Sequence, residues 1–250
     1  MPEALERGLA RYFTPAQLEK IQKTRVFLAG CGGLGSNVAY LLVRSGFRKL
    51  TLVDFDTVDA SNLNRQFFFP PQLGKPKVEA AAEIYRLLNP KVEITALQTR
   101  VTAENACALA KGADLLVEAL DEAEAKAAFV SAALGLGKPV ICAAGIAGFG
   151  DTDAIVTRRF GRRVYVVGDG KSDTASTPPF APRNAAICAI KSARPESPSP
   201  PAAFRGATPT TTSAARRAPR PGSTRAKARP IWSKRTVSAY RRLCAPRRRA

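Results

Sequence analysis

Residues 25–54 read RVFLAGCGGLGSNVAYLLVRSGFRKLTLVD, and this stretch decides the fold class. An apolar run meets a glycine-rich turn, a helical pattern follows, and a second apolar run ends in Asp54. The order predicts a strand, a turn, a helix and a strand, which is the first βαβ unit of a nucleotide-binding α/β sheet. Glycine spacing alone is weak evidence. The strand before it, the helix after it and the acid at the next strand end favour nucleotide binding over a purely structural turn.

The glycines of the turn have separate predicted tasks. Gly30 makes the tight turn, Gly32 lets backbone N–H groups approach a phosphate, and Gly35 lets the helix pack on the strand. The N-terminus of the helix then faces the anion. Asp54 stands where such folds hold the ribose hydroxyls of the nucleotide.

Apolar and helical patterns alternate over the first 183 residues, as they do in an α/β domain. We therefore expect a Rossmann-like, doubly wound, mostly parallel sheet with an antiparallel hairpin at its edge. The expected strands are 26–29, 49–54, 92–97, 113–120 and 140–144, the expected helices are 15–23, 36–45, 76–88, 102–110 and 122–134, and the expected hairpin comprises 153–158 and 163–167.

The positive charge of the chain is concentrated at its end. Residues 184–250 hold 16 of the 39 Lys and Arg but only 1 of the 20 Asp and Glu. Their Ala, Pro, Ser, Thr and Arg show no apolar periodicity, so we expect a folded domain over 1–183 and a disordered basic tail over 184–250. The abrupt change is also what a shifted reading frame would produce, and we expect the tail to be dispensable.

A nucleic-acid-binding role for this tail is disfavoured. Its net charge would attract phosphates. Only three aromatic side chains, Phe204, Trp232 and Tyr240, could stack on bases, and no binding motif is visible.

The cysteines and the absent histidine narrow the chemistry. Five cysteines form no Cys-x-x-Cys pair and the chain has no histidine, which disfavours the usual zinc sites and any imidazole base. We expect Cys31, Cys107 and Cys142 to be small buried thiols. Residues 1–11 have no apolar signal core, and no run approaches the roughly 18 apolar residues of a membrane span. The expected location is the cytoplasm, with no membrane partner.

The connection formed by residues 54–74 is long and rich in polar groups, and such loops at strand ends are usually functional. Asn62 and Arg65 lie in it, Lys77 begins the next helix, and Asp121 follows a later strand. The carboxyl ends of strands share one crevice in a doubly wound sheet, so these groups can converge. Two cations, an amide and a carboxylate suit a triphosphate with Mg²⁺. Without the surrounding motifs, an ordinary solvated charge would be the favoured interpretation of Arg65 and of Lys77 taken singly.

Five motifs in this order resemble the ThiF/MoeB family of adenylating enzymes, relatives of the ubiquitin-activating enzymes. They are GCGGLGSN at 30–37, DFDTV at 54–58, SNLNRQ at 61–66, GKPK at 74–77 and LDEAEAK at 120–126. Further stretches at 143–150, 167–170 and 179–183 are most similar to the short, zinc-free ThiF branch of thiamine biosynthesis. The resemblance covers residues 18–183.

The resemblance implies that ATP adenylates the C-terminal Gly-Gly carboxylate of a ThiS-like sulfur carrier protein, after which a sulfur donor protein displaces AMP. It also implies a homodimer. No side-chain base is needed, because the attacking carboxylate is already ionised near neutral pH. The implied nucleotide-binding residues are Gly30, Gly32, Gly33, Gly35, Asp54, Asp56, Asn62, Arg65 and Lys77, with Arg65, Lys77 and Asp121 catalytic and Asp121 the Mg²⁺ ligand.

The sequence departs from the family pattern in three ways. It lacks the two zinc-binding Cys-x-x-Cys pairs, has only Arg7 and Arg11 as candidates for the arginine that relatives supply across a dimer interface, and does not continue into a closing apolar helix after residue 183. Two alternatives remain: adenylation of another substrate by a MoeB-like or tRNA-modifying relative, and an NAD-dependent oxidoreductase on the same fold.

Overall fold

The computed structural model of the protein describes residues 4–144 and 154–170, which contain a seven-stranded sheet with helices on both faces. The sheet order is β3-β2-β1-β4-β5-β7-β6, parallel except for the antiparallel pair β6 and β7. The strands are β1 Arg25–Ala29, β2 Lys49–Asp54, β3 Glu93–Gln98, β4 Leu115–Glu118, β5 Val140–Ala144, β6 Val156–Phe160 and β7 Val164–Gly168. The helices are α1 Ala4–Leu9, α2 Pro15–Lys23, α3 Gly35–Arg44, α4 Lys77–Leu88, α5 Ala106–Ala110 and α6 Ala123–Gly135.

The predicted fold class is confirmed, because the sheet is mostly parallel, has helices on both faces and ends in an antiparallel hairpin. The alternation of β1 shows how the two faces arise. Val26 and Leu28 pack in one buried cluster with α3 and α4, whereas Phe27 and Ala29 pack in another with α5 and α6. Neighbouring side chains of a strand point to opposite faces, so one apolar run supplies both layers.

Four elements were either not predicted or differ from the expectation by more than one residue at a boundary. α1 was not predicted. α5 begins at Ala106, because residues 103–105 form a turn; Asn105 Oδ1 accepts a hydrogen bond from the Thr102 N–H at 2.8 Å within this segment. β4 is shorter than predicted and ends at Glu118, whose side chain accepts the Leu120 N–H at 2.7 Å. β6 runs on to Phe160, because Gly161, at φ +60°, makes the turn.

The prediction for Cys107 is wrong. Cys31 and Cys142 are buried as expected, but Cys107 is exposed. α5 turns Ala106 and Ala110 inward, one helical turn apart, and Cys107 lies off that face.

Several predictions concern residues outside the described part of the chain. They include the disorder of the tail over 184–250 and the start of the hairpin at residue 153. None of the helices in the described ranges is both long enough and apolar enough to cross a bilayer.

Candidate nucleotide-binding crevice

The glycine turn between β1 and α3 is tightly constrained at two positions. Gly30 has φ +93°, and a Cβ atom there would lie 2.5 Å from the Ala119 carbonyl oxygen. A Cβ atom at Gly35 would lie 1.7 Å from the carbonyl oxygen of Gly30 and 3.1 Å from a Leu28 methyl group. A side chain fits at neither position. Gly35 therefore packs against the turn itself as well as against β1.

The face of the turn around Gly32 is open by contrast. A Cβ atom at Gly32 would have only the Gln66 side-chain nitrogen as a neighbour, at 4.0 Å. This openness agrees with the expected approach of a ligand to the backbone there. Gln66 itself is buried, and its Oε1 has no hydrogen-bond partner among the described residues. Sequence reasoning missed this side chain, although it lies inside the quoted SNLNRQ motif.

Asp54, the last residue of β2, accepts hydrogen bonds from the glycine turn and from the loop after β2. Its Oδ2 accepts a hydrogen bond from the Cys31 N–H at 2.6 Å, and its Oδ1 accepts one from the Asp56 N–H at 2.9 Å. Burial raises the pKa of Asp54, and the two N–H groups and the Lys77 charge oppose that shift. Each carboxylate oxygen can accept a second bond. A ribose contact stays possible, but the carboxylate has a bracing role that the sequence did not predict.

Lys77 and Asp56 form an ion pair beside Asp54. Lys77 Nζ lies 2.7 Å from Asp56 Oδ2, and the Lys77 side chain is only 7% exposed. The backbone N–H of Lys77 also donates to the Asp56 carbonyl oxygen at 2.9 Å. These contacts fix the start of α4 against the loop after β2. Asp56, expected to bind nucleotide, is thus first the counter-charge of Lys77.

Asn62 and Arg65 lie on the long loop but differ in their bonding. Asn62 is buried, and its Oδ1 accepts the Asp59 N–H at 3.0 Å, so its side chain shapes a short 3₁₀ turn over Ala60–Asn62. The Arg65 guanidinium donates to the Ser61 carbonyl oxygen at 3.0 Å and to Asn64 Oδ1 at 2.9 Å. Both acceptors are neutral. Arg65 is therefore a cation without an acidic partner among the described residues.

The first turn of α3 ties this loop to the glycine turn. Asn37 Nδ2 donates to the carbonyl oxygens of Gly33 at 2.7 Å and Arg65 at 3.0 Å. Ser36 Oγ donates to the Gly32 carbonyl oxygen at 2.7 Å and accepts the Phe67 N–H at 3.0 Å. The position of Arg65 relative to the turn is thus set by side chains of the helix. The signal was available in the sequence, since a Ser and an Asn directly follow the glycines.

Asp121 follows β4, the neighbour of β1 in the sheet. Its side chain is exposed and makes no hydrogen bond or ion pair with any other described residue. The close approach of the Ala119 carbonyl oxygen to Gly30 places this connection directly against the glycine turn. The carboxyl ends of β2, β1 and β4 therefore bring Arg65, the glycine turn and Asp121, respectively, to one edge of the sheet. The convergence of these side chains on one ligand stays a prediction.

The arrangement suits a polyanionic ligand. The open turn offers backbone N–H groups at the start of a helix, where the helix dipole favours negative charge. Arg65 adds a cation that no acid among the described residues neutralises, and Asp121 adds an oxygen ligand of the kind Mg²⁺ prefers. Among the described residues no group of three or more metal-ligating side chains occurs. One carboxylate completed by phosphate oxygens is a common form of Mg²⁺ site.

One protein-family model and several curated proteins match the sequence of this chain. The sequence model of the ThiF family matches residues 5–194. The chain is 32% identical over 126 residues to the tRNA threonylcarbamoyladenosine dehydratase of Haemophilus influenzae, covering 50% of this chain and 48% of that protein. It is 35% identical over 128 residues to the sulfur carrier protein adenylyltransferase of Thermus thermophilus, covering 51% and 47%. The chain thus spans about half the length of these curated relatives.

Solved structures agree on the fold. The tRNA N6-threonylcarbamoyladenosine dehydratase of E. coli in complex with AMP gives a TM-score of 0.67 over 74% of this chain and 89% of that chain, at 23% identity. Its complex with ATP gives a TM-score of 0.65. At this level of identity the likeness concerns the fold alone.

Proposed function

The chain belongs to the ThiF family, and from that premise we propose that it adenylates the C-terminal Gly-Gly carboxylate of a small, ubiquitin-like sulfur carrier protein with ATP. The observation that carries the proposal is a pair of charges beside the glycine turn, the Arg65 cation and the Asp121 carboxylate, which have no opposite charge as partner within residues 4–144 and 154–170. A carrier of the ThiS type, for thiazole synthesis in thiamine biosynthesis, and membership of the short, zinc-free branch belong to the same proposal.

ATP is the proposed nucleotide. The fold is shared with a protein solved in complex with ATP and with AMP, and a sequence relative is a sulfur carrier protein adenylyltransferase. In this proposal the open glycine turn and the start of α3 contact the phosphates, and Asp54 at the end of β2 contacts the ribose. The proposed nucleotide-binding residues are Gly30, Gly32, Gly33, Gly35, Asp54, Asp56, Asn62, Arg65 and Lys77.

In the proposed reaction an oxygen of the carrier carboxylate attacks the α-phosphorus, and the bond to the β-phosphate breaks. Pyrophosphate leaves with its electron pair, and an acyl adenylate remains. The carboxylate is already ionised near neutral pH, so the chain needs no basic side chain for this step. Arg65 and Lys77 would offset the charge that builds on the phosphates. The Lys77 side chain is buried beside Asp56. The ion pair with Asp56 would hold the Lys77 ammonium group in place before ATP binds.

Asp121 is the proposed Mg²⁺ ligand. When bound, Mg²⁺ would supply positive charge that offsets part of the charge of the phosphates. The carboxylate suits this task because it is exposed and unpaired among the described residues. A sulfur donor protein as later partner and a homodimer are further parts of the proposal.

The experiment that tests the proposal is carrier-dependent exchange of labelled pyrophosphate into ATP. A panel of Gly-Gly-ending carriers is compared with the same carriers amidated at the C-terminus, which removes the nucleophile and leaves the rest of each carrier unchanged. Exchange stimulated by a free carboxylate terminus and not by its amide is expected. Equal exchange with and without carrier would contradict the proposal. A change in reduced-dinucleotide absorbance would favour an oxidoreductase.

A second candidate within the family is dehydration of threonylcarbamoyladenosine in tRNA. The observation favouring it is the 32% identity to the dehydratase of Haemophilus influenzae. The activated group would again be a carboxylate, that of the threonyl moiety. Pyrophosphate release stimulated by tRNA that carries the modification, and not by unmodified tRNA or by any carrier, would select this function instead.

A further inference from the structure

A buried ion pair lies at the carboxyl end of β4, beside the site but outside the set of residues assigned to it. Glu118 is 1% exposed, and its Oε1 lies 2.8 Å from Lys126 Nζ on α6. Its second oxygen, Oε2, is buried without a hydrogen-bond partner among the described residues. Removing two charges from water is costly, and an apolar pair of similar volume often serves stability equally well. Stability alone therefore does not account for this pair.

The pair fixes the connection between β4 and α6. Glu118 Oε1 accepts the Leu120 N–H at 2.7 Å, and Lys126 Nζ also donates to the Ala143 carbonyl oxygen at 3.1 Å, at the end of β5. One carboxylate oxygen thus joins the strand, its connection and the following helix. Asp121 is the next residue of that connection.

The same connection touches the glycine turn. The Ala119 N–H donates to the Ala29 carbonyl oxygen at 2.8 Å, and the Ala119 carbonyl oxygen packs against Gly30. A shift of residues 119–121 would therefore move the proposed metal ligand and crowd the nucleotide turn together.

We propose that Glu118 is a positioning residue, which holds the backbone of Leu120 so that the Asp121 carboxylate meets the metal and phosphates beside the glycine turn, with Lys126 as its counter-charge. This inference rests on the proposed function for its catalytic consequence. Its geometric part, the anchoring of Leu120 by Glu118, stands independently of any substrate. Burial raises the pKa of Glu118 and the Lys126 ammonium opposes the shift, which agrees with the role of Lys126.

The test compares two double variants that differ only at position 118. In E118M/K126M both charges are replaced by apolar side chains of similar length, and Leu120 loses its acceptor. In E118Q/K126M the charges are also absent, but the glutamine oxygen can still accept the Leu120 N–H. D114N, which alters a carboxylate at the opposite end of β4, is the control.

Two readouts are made at a temperature where every variant is folded. In E118M/K126M the amide hydrogen exchange of residues 119–122 should rise about fivefold or more, as expected for one lost hydrogen bond. Carrier-dependent pyrophosphate exchange should fall roughly 10–100-fold with a raised Mg²⁺ requirement, the size usual for groups that orient metal ligands. E118Q/K126M should keep most of both properties, and D114N should keep all.

The outcomes separate this inference from the proposed function. Unchanged amide exchange in E118M/K126M overturns the inference whatever the enzyme assay shows. Raised amide exchange with wild-type pyrophosphate exchange and Mg²⁺ dependence overturns the link to Asp121. If the unaltered protein exchanges no pyrophosphate with any carrier, the proposed function fails, and the amide exchange still decides whether Glu118 anchors Leu120.

Discussion

The two edges of the sheet differ in how completely their charges are paired. At the amino edge, where the strands begin, every charge named here has a partner. Arg25 contacts Asp114 at 2.8 Å, and Glu6 of α1 pairs with both Arg48 and Lys91. At the carboxyl edge, where the strands end, Arg65 and Asp121 have no opposite charge beside them among the described residues.

The pKa directions of three carboxylates near the strand ends also differ. Arg25 lowers the pKa of Asp114 to about 2, chiefly through hydrogen bonding. Burial instead raises the pKa of Asp54 and of Glu118 at the carboxyl edge. Asp114 is thus stabilised as a carboxylate, whereas Asp54 and Glu118 keep their charges in costly buried surroundings. The contrast does not extend to Asp59 on the loop after β2, because hydrogen bonds from Ser61 lower the pKa of Asp59. A costly buried charge is typical of a functional site, so Asp54 and Glu118 support the proposed binding edge alongside the glycine motif.

The largest effect is expected when the two charges without an opposite partner among the described residues, Arg65 and Asp121, are removed. Arg65→Ala and Asp121→Ala should each lower carrier-dependent pyrophosphate exchange by roughly 10²–10³-fold, because each removes an electrostatic group aimed at the reacting phosphates. Stability should change by less than about 0.5 kcal/mol, since neither side chain packs in the core. Asp114→Ala, the matched change at the amino edge, should leave exchange unchanged. Wild-type exchange by Asp121→Ala would remove its metal role.

The next largest effect is expected within the glycine turn. Gly35→Ala should cost about 3 kcal/mol or more, because its Cβ atom would overlap the Gly30 carbonyl oxygen and force α3 away from β1. Gly32→Ala should cost less than about 1 kcal/mol, because its Cβ atom would meet only the Gln66 side chain at 4.0 Å. Urea unfolding of both variants measures the difference. Equal costs would show that the open face of the turn has been misjudged.

At the amino edge the expected effect is on stability alone. Glu6→Gln should lower the free energy of unfolding by about 1–2 kcal/mol, because it leaves Arg48 and Lys91 without their shared anion while both keep part of their hydration. Glu19→Gln is the matched control, since the Glu19 side chain is 62% exposed and should contribute almost nothing. Thermal unfolding of the two variants measures this contrast. An activity loss in Glu6→Gln at wild-type stability would contradict the division between the edges.

The smallest expected effect is a pH dependence at the Arg25–Asp114 pair. The pKa of Asp114 is lowered to about 2 in the folded protein, so its contribution is present above the unfolded pKa near 4 and is lost as the pH falls toward 2. Both side chains are largely exposed, so the contribution should stay below about 1 kcal/mol. Urea unfolding of the wild type and Asp114→Asn from pH 6 to pH 2.5 should show a difference that shrinks on acidification. A difference that grows there would reverse the sign.

Local pattern was sufficient to predict much of the architecture. β2 and β5 have the predicted bounds, and β1, α3 and α4 agree within one residue, because apolar period and glycine or proline punctuation act over short distances. Gly30 was predicted as the turn residue for the same reason. α5 was predicted too long because residues 103–105 form a turn, and the apolar period alone does not register where the first helical residue lies.

The candidate site also has features that the sequence determined and features that only the fold determined. The sequence by itself determined which residue types follow which strands, and therefore that Asp54, Arg65, Lys77 and Asp121 would gather at the carboxyl edge. Only the tertiary structure decided their partners: Asp54 accepts the Cys31 N–H, Asp56 pairs with Lys77, and Arg65 and Asp121 have no opposite charge as partner in the part of the chain that the structure describes. Glu118 shows the limit most clearly, since within the apolar run LLVEAL it is only a strand residue. Its task depends on Lys126, one helix away, and on the chain bend that presents the Leu120 N–H, and such contacts exist only once the chain has folded.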